Sequence, residues 1–245
     1  IVIPCYKEAG RLPADRFRDF VAESERVRFL FVNDGSTDGT AARLAELCDG
    51  TIAGLEWIDL PRNGGKAEAV RQGLWRAMED SSARYVGFWD ADLATPLREI
   101  SGFVAALDDD PRKEMVFGSR VNLIGRNVRR NIMRHYIGRV FATLACWTVE
   151  LTIYDTQCGA KLFRVSDEMR ALFEDRFLSR WIFDVEILAR LVRARRGTEL
   201  PQPSEVVYEL PLHEWCDVKG SKLKMGDIFI VMGDLVRIRR RYMNG

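Results

Sequence analysis

The sequence predicts an α/β protein with a mostly parallel sheet sandwiched by helices. Three observations carry this. Short apolar runs alternate with helical stripes through the first half. Acidic or polar clusters follow three of those runs. The chain is 245 residues long, 47% hydrophobic and 30% charged, which is enough for one sizeable core. Strand, helix, strand repetition implies right-handed crossovers and parallel strands, and ligands of such sheets sit beyond the carboxyl ends of the strands.

The elements follow in order. Strands are predicted over Ile1–Pro4, Phe29–Asn33, Leu55–Leu60, Tyr85–Asp90 and Met115–Ser119. Between them Phe17–Glu25, Thr40–Cys48, Ala67–Met78 and Leu97–Leu107 read as helices. In the third helix Ala67, Val70, Leu74 and Met78 recur at three- and four-residue spacing, an amphipathic stripe that belongs to the core. Asp38-Gly39-Thr40 predicts a turn and helix cap.

The strand ends hold the chemistry. "PCYKE" follows the first, "NDGSTDGT" the second and "DAD" the fourth, so Glu8, Asp34, Asp90 and Asp92 converge on one edge. If the fourth strand persists to Asp92, Asp90 and Asp92 point the same way, since side chains two apart share a face. Two like charges held together need a compensating cation or a set of donors. Read alone, the pair also fits the start of a solvated loop. Lys66 of "RNGGKAEA" stands at a helix start, where backbone N–H groups and the dipole favour an anion. Neither a G-x-G-x-x-G nor a G-x-x-x-x-G-K-[ST] motif is present.

Composition excludes several classes. A net charge of +1 argues against bulk electrostatic binding to nucleic acid. Cys5, Cys48, Cys146, Cys158 and Cys216 are scattered without a C-x-x-C pair, with only His135 and His213 beside them, against a disulfide framework or zinc site and for a reducing compartment. Cys158 reads as a small buried residue. The sequence opens on Ile1 without methionine, which predicts a true N-terminus further upstream. Nothing reaches the roughly 20 apolar residues of a membrane span.

The second half changes character without a linker, so one domain is expected over 1–245: a nucleotide-binding half over 1–120, an acceptor half over 121–225 and an amphipathic tail over 226–245. Basic residues crowd "RNVRRNIMRHYIGR", and Tyr136–Ile153 reads as a buried or membrane-interfacial helix. In the helix near Ile182, the residues Ile182, Val185, Leu188 and Leu191 form the expected apolar face, with Asp184 and Glu186 off it. Asp184 fits a reactive acid or a helix-start acid equally.

Taken in order, "IVIPCYKEAGRLP", "FVNDGSTDGT", "RNGGKAEAVRQGL", "DADLATP", "GSR", "DTQCGAKLF", "RWIFDVEIL" and "VKGSKL" resemble family 2 glycosyltransferases of the GT-A fold. The likeness spans almost the whole chain. It is strongest to the dolichyl-phosphate β-glucosyltransferases and their polyprenyl-phosphate relatives, and "DADLAT", "DTQCGAKLF" and "RWIFDVEIL" are its specific parts.

The resemblance implies that Pro4, Tyr6, Glu8 and Asp34 line a nucleotide pocket completed by Lys66 and Asp90. Asp92, with Asp90, would hold Mg²⁺ or Mn²⁺ on the donor diphosphate. Arg120, Arg130 and Lys222 would hold donor and acceptor phosphates, and Asp155 and Asp184 would flank the acceptor. It implies inverting transfer of glucose from UDP-glucose to a polyprenyl phosphate at the cytoplasmic face of a membrane. Another family 2 transferase, such as a GDP-mannose user, and a catalytically silent binding module are the competing readings. Lys7 stands where the family usually has asparagine. Ala94 stands where mannosyl-phosphate synthases have a metal-binding glutamine, and Cys216 or Asp217 where they have arginine. The last two departures point to UDP-glucose.

Overall fold

The computed structural model describes residues 1–24, 26–129, 132–217 and 227–244. Its elements are β1 Val2–Cys5, α1 Ala14–Glu23, β2 Phe29–Asn33, α2 Thr40–Leu47, β3 Leu55–Asp59, α3 Lys66–Ala77, β4 Tyr85–Trp89, α4 Ile100–Asp109, β5 Met115–Ser119, β6 Asn127–Arg129, α5 Ile132–Val149, β7 Ala160–Arg164, α6 Asp167–Ala171, α7 Phe183–Arg195, α8 Pro203–Val206, β8 Val207–Pro211, β9 Glu214–Cys216 and α9 Asp227–Ile238. The chain divides into two compact units, Ile1–Leu93 with Val165–Arg176, and Ala94–Arg164 with Phe177–Gly245.

In the first unit the strands run β3-β2-β1-β4. β1 pairs in parallel with β2, Val2 opposite Leu30, and with β4, Val2 opposite Phe88; β2 pairs in parallel with β3. Three parallel neighbours therefore bring the carboxyl ends of β1, β2 and β4 to one edge. The interior strands are buried on both faces, which explains why they read as continuous apolar runs. Below β2, Phe17 of α1 packs edge-on against Phe29 and Phe31, with ring centroids 5.2 and 5.0 Å away. The predicted stripe of α3 is buried, and Gly73 lies on the same side. A β-carbon at Gly73 would stand 2.4 Å from Val2 and 2.8 Å from Val32, so glycine is what lets α3 lie close on β1 and β2. Asp38 makes the expected turn into α2, its Oδ1 accepting from the Thr40 N–H and hydroxyl, but the N-cap position is Gly39, without a side-chain cap.

In the second unit the run is β7-β5-β8. β5 and β8 are parallel, and β7 is antiparallel to β5, so the sheet is mostly parallel with one reversed strand. β6 and β9 form a separate parallel pair. Phe117 and Phe163 meet edge-on in the core. α7 differs from the expected one-faced helix, because it is buried all round from Phe183 to Leu191, acids included.

Replacing Gly73 by alanine is expected to cost about 1–3 kcal/mol through overpacking of α3 against the sheet, read as a lower midpoint in urea unfolding.

Candidate active site

The expected donor-side residues Pro4, Tyr6, Glu8, Asp34, Lys66, Asp90 and Asp92 lie at the carboxyl edge of the first unit. Glu8 is buried just past β1; its N–H donates to the Thr40 hydroxyl at 2.8 Å, and its Oε1 accepts from Arg11 at 2.6 Å. Pro4 and Tyr6 flank this turn, half-buried. Lys7, between Tyr6 and Glu8, has φ 56° and donates its N–H to the Ser36 hydroxyl. That left-handed backbone suits asparagine better than lysine, a physical reason for the residue the family usually places there.

Asp34, 2% exposed, follows β2 and is a staple for the next loop. Its Oδ1 accepts from Gly64 N–H at 2.7 Å, and its Oδ2 from Gly65 N–H and the Asn63 side-chain amide, both at 2.8 Å. The close approach needs Gly35, whose φ is 58° and whose β-carbon would fall 2.4 Å from the Arg62 carbonyl carbon. Gly65, at φ 92°, then launches α3 with Lys66 first. Lys66 Nζ reaches Asp90 Oδ1 at 2.5 Å, both side chains about a third exposed.

The D-A-D segment differs from the strand extension considered above. β4 ends at Trp89, and Asp90 to Leu93 form a turn closed by the Leu93 N–H on the Asp90 carbonyl, with Leu93 at φ 51°. Asp90 is thus half-buried on Lys66, and Asp92 is exposed. Among the described residues no group of three His, Cys, Asp or Glu forms a metal cluster. Two hard carboxylates in an accessible turn nonetheless fit Mg²⁺ or Mn²⁺, which bind through one or two carboxylates with water and substrate phosphates supplying the rest.

The acceptor-side residues lie in the second unit. Arg120 follows β5 and grips Asp155 through both prongs, Nε to Oδ2 at 2.6 Å and Nη2 to Oδ1 at 2.7 Å. Its guanidinium lies 5.3 Å from the centre of the Trp215 ring. Asp155 is placed by its own N–H donating to Glu209 at 2.8 Å. Arg120, Asp155, Gln157, Arg139, Tyr154 and Thr156 line part of a cavity of about 30 Å³. Asp184, in the first turn of α7, lies 2.6 Å from Lys161 Nζ. Arg130 and Lys222 lie outside the described residues.

Lys161 was not among the residues the sequence singled out. It is fully buried in β7, donates to the Cys158 carbonyl at 2.6 Å and sits 4.7 Å from the Phe117 ring centre. The available signal was a lone lysine inside the apolar run "GAKLF". Cys158 is buried as expected, and burial pushes its thiol up to about 11, the direction that makes it a poor nucleophile.

The family model for glycosyl transferase family 2 matches residues 1–169. The chain belongs to that family. Among curated relatives of this glycosyltransferase, the dolichyl-phosphate beta-glucosyltransferase of Saccharomyces cerevisiae is 30% identical over 265 residues, covering 100% of this chain and 75% of the relative. The Homo sapiens protein of the same name is 28% identical over 264 residues, covering 100% and 76%. Among solved structures, glucosyl-3-phosphoglycerate synthase from Mycobacterium tuberculosis, in complex with Mn²⁺, UDP and glucosyl-3-phosphoglycerate, aligns with a TM-score of 0.66 at 16% identity. That alignment covers 97% of this chain and 78% of the other, and it shows the shared GT-A fold.

Two outcomes are expected from this geometry. Lys161→Met leaves Asp184 buried without its cation and should cost about 3–5 kcal/mol, while the double variant Lys161→Met, Asp184→Leu recovers most of the loss; urea unfolding of both checks this. Lys7→Asn relieves a left-handed lysine and should raise stability by about 0.5–1 kcal/mol in the same assay.

Proposed function

We propose that this glycosyltransferase transfers glucose from UDP-glucose to a polyprenyl phosphate with inversion at the anomeric carbon. The single observation that carries the acceptor class is that Asp155 and Asp184, the acids expected beside the acceptor, are each committed to a buried or nearly buried cation. A hydroxyl acceptor needs a free general base. A phosphate monoester, with its second pKa near about 6, arrives already anionic.

In this reading an acceptor phosphate oxygen forms the new bond to the anomeric carbon as the bond to the β-phosphate oxygen of UDP breaks. The electron pair leaves with UDP, and no proton moves. Lys66 and the start of α3 favour the donor's anionic end. Asp92 and Asp90 would hold the divalent cation, which when bound neutralises charge growing on the leaving diphosphate. Arg120, with Arg130 and Lys222, would offset the repulsion between two anions. Glucose is supported by the curated relatives' names, and UDP-glucose rather than GDP-mannose by the departures at Ala94 and at Cys216 or Asp217.

The lipid acceptor implies work at a membrane surface, on its cytoplasmic face. No helix among the described residues is long and apolar enough to cross a membrane. Exposed Val140 and Trp147 on α5, and Ile230 and Val236 on α9, support a peripheral contact.

Labelled glucose from UDP-glucose is expected to appear in an acid-labile lipid when a short polyprenyl phosphate and Mg²⁺ are supplied, and to vanish with EDTA. Asp92→Ala should lower turnover by about a hundredfold or more. Turnover indifferent to EDTA and to Asp92→Ala would remove the metal assignment. Transfer only from GDP-mannose, or only to a hydroxyl acceptor, would remove the substrate assignment.

A further inference from the structure

Two residues beyond Asp184, α7 carries a second acid with a different task. Glu186 is fully buried, yet it is surrounded by donors from three segments. Its Oε2 accepts the N–H groups of Leu178 and Ser179 at 2.8 and 3.4 Å, and its Oε1 accepts from Arg190 Nη2 and from the Tyr242 hydroxyl, both at 2.9 Å. Ser179 Oγ in turn accepts from Trp181 and Ile182 N–H, which fixes the turn that leads into α7. Tyr242 belongs to the π turn Arg239–Met243, whose Met243 carbonyl accepts from Arg196 of the α7 C-terminus at 3.0 Å.

The turn containing Tyr242 is therefore tied to both ends of the helix that bears Asp184. A buried carboxylate is stable only while its donors are present, so removing one loosens what the others hold. We propose that Tyr242 is a positioning residue for the acceptor side: through Glu186 it fixes the segment Leu178–Ile182 and thereby the first turn of α7, where Asp184 meets Lys161. Its proposed action runs through Glu186. The inference rests on the transfer reaction proposed above for its kinetic consequence, and on geometry alone for its structural one.

Tyr242→Phe, which deletes only the hydroxyl, tests it in the full chain. Amide exchange at Leu178 and Ser179 is expected to quicken about tenfold, the scale of one charge-assisted hydrogen bond, with strand amides of the first unit unchanged. The kcat/KM for polyprenyl phosphate should fall about tenfold while UDP-glucose affinity stays constant. Unaltered exchange at 178–179 overturns the proposal. So does loss of donor affinity in step with acceptor turnover, or cooperative unfolding of the whole chain by this single change, since either shows a general structural role. Tyr242→Ala should reproduce the pattern more strongly, and the absence of that ordering counts against it. If the wild-type chain yields no lipid product, the exchange comparison alone decides the latch, so its failure is distinct from failure of the assigned reaction.

Discussion

A carboxylate leaves water only where donors are waiting for it, because an uncompensated buried charge costs several kcal/mol. Asp34, Asp155, Asp184 and Glu186 are all buried here, and each draws partners from another part of the sequence, Glu186 adding Arg190 of its own helix. Asp34 takes the amides of Gly64 and Gly65, Asp155 the guanidinium of Arg120, Asp184 the ammonium of Lys161, and Glu186 the Leu178 amide and Tyr242 hydroxyl. Each pairing ties down a loop or a helix start. Residues that look like reagents in the sequence are, in the structure, the fasteners of the segments that carry the site.

This sorts acids that look alike in one dimension. Asp34 and Asp92 both follow an apolar strand in a polar cluster. Asp34 is sealed under the Arg62–Gly65 loop and its oxygens are spent on that loop, whereas Asp92 stands exposed on a turn. Asp90 lies between these extremes, half-exposed and shared with Lys66. A ligand for an incoming cation has to retain access, so the turn after β4 is better suited to that task than the end of β2.

The first unit was legible because its strands are short apolar runs closed by turn residues, and its helices carry one clean stripe each. β2 falls on the expected residues, as does β5, the best-read strand of the second unit. The second unit was less so. β7 carries a lysine, β8 is only half-buried, and β9 spans three residues, so none shows a run or an alternation strong enough to stand out. α7 misled for a different reason: a helix buried on all sides has no polar face to reveal its stripe, and its acids are accommodated by partners distant in sequence. Asp155, Asp184 and Arg120 could be found from motifs, but Lys161 and the pairing of Arg120 with Asp155 could not, since periodicity carries no information about which lysine or arginine will be folded against an acid.

Those cations bear on the chemistry. For Asp184 to accept a proton, it would have to give up its buried partner Lys161, at a cost of about 3–5 kcal/mol. Asp155 faces the same barrier against a two-pronged arginine. General-base catalysis contributes about 10²–10⁴-fold, a gain of comparable size, so breaking either pair to make a base leaves little net acceleration. A nucleophile that is charged before it binds avoids the exchange. The proposed phosphate acceptor therefore suits this site better than an alcohol, since both acids keep the cations that hold them.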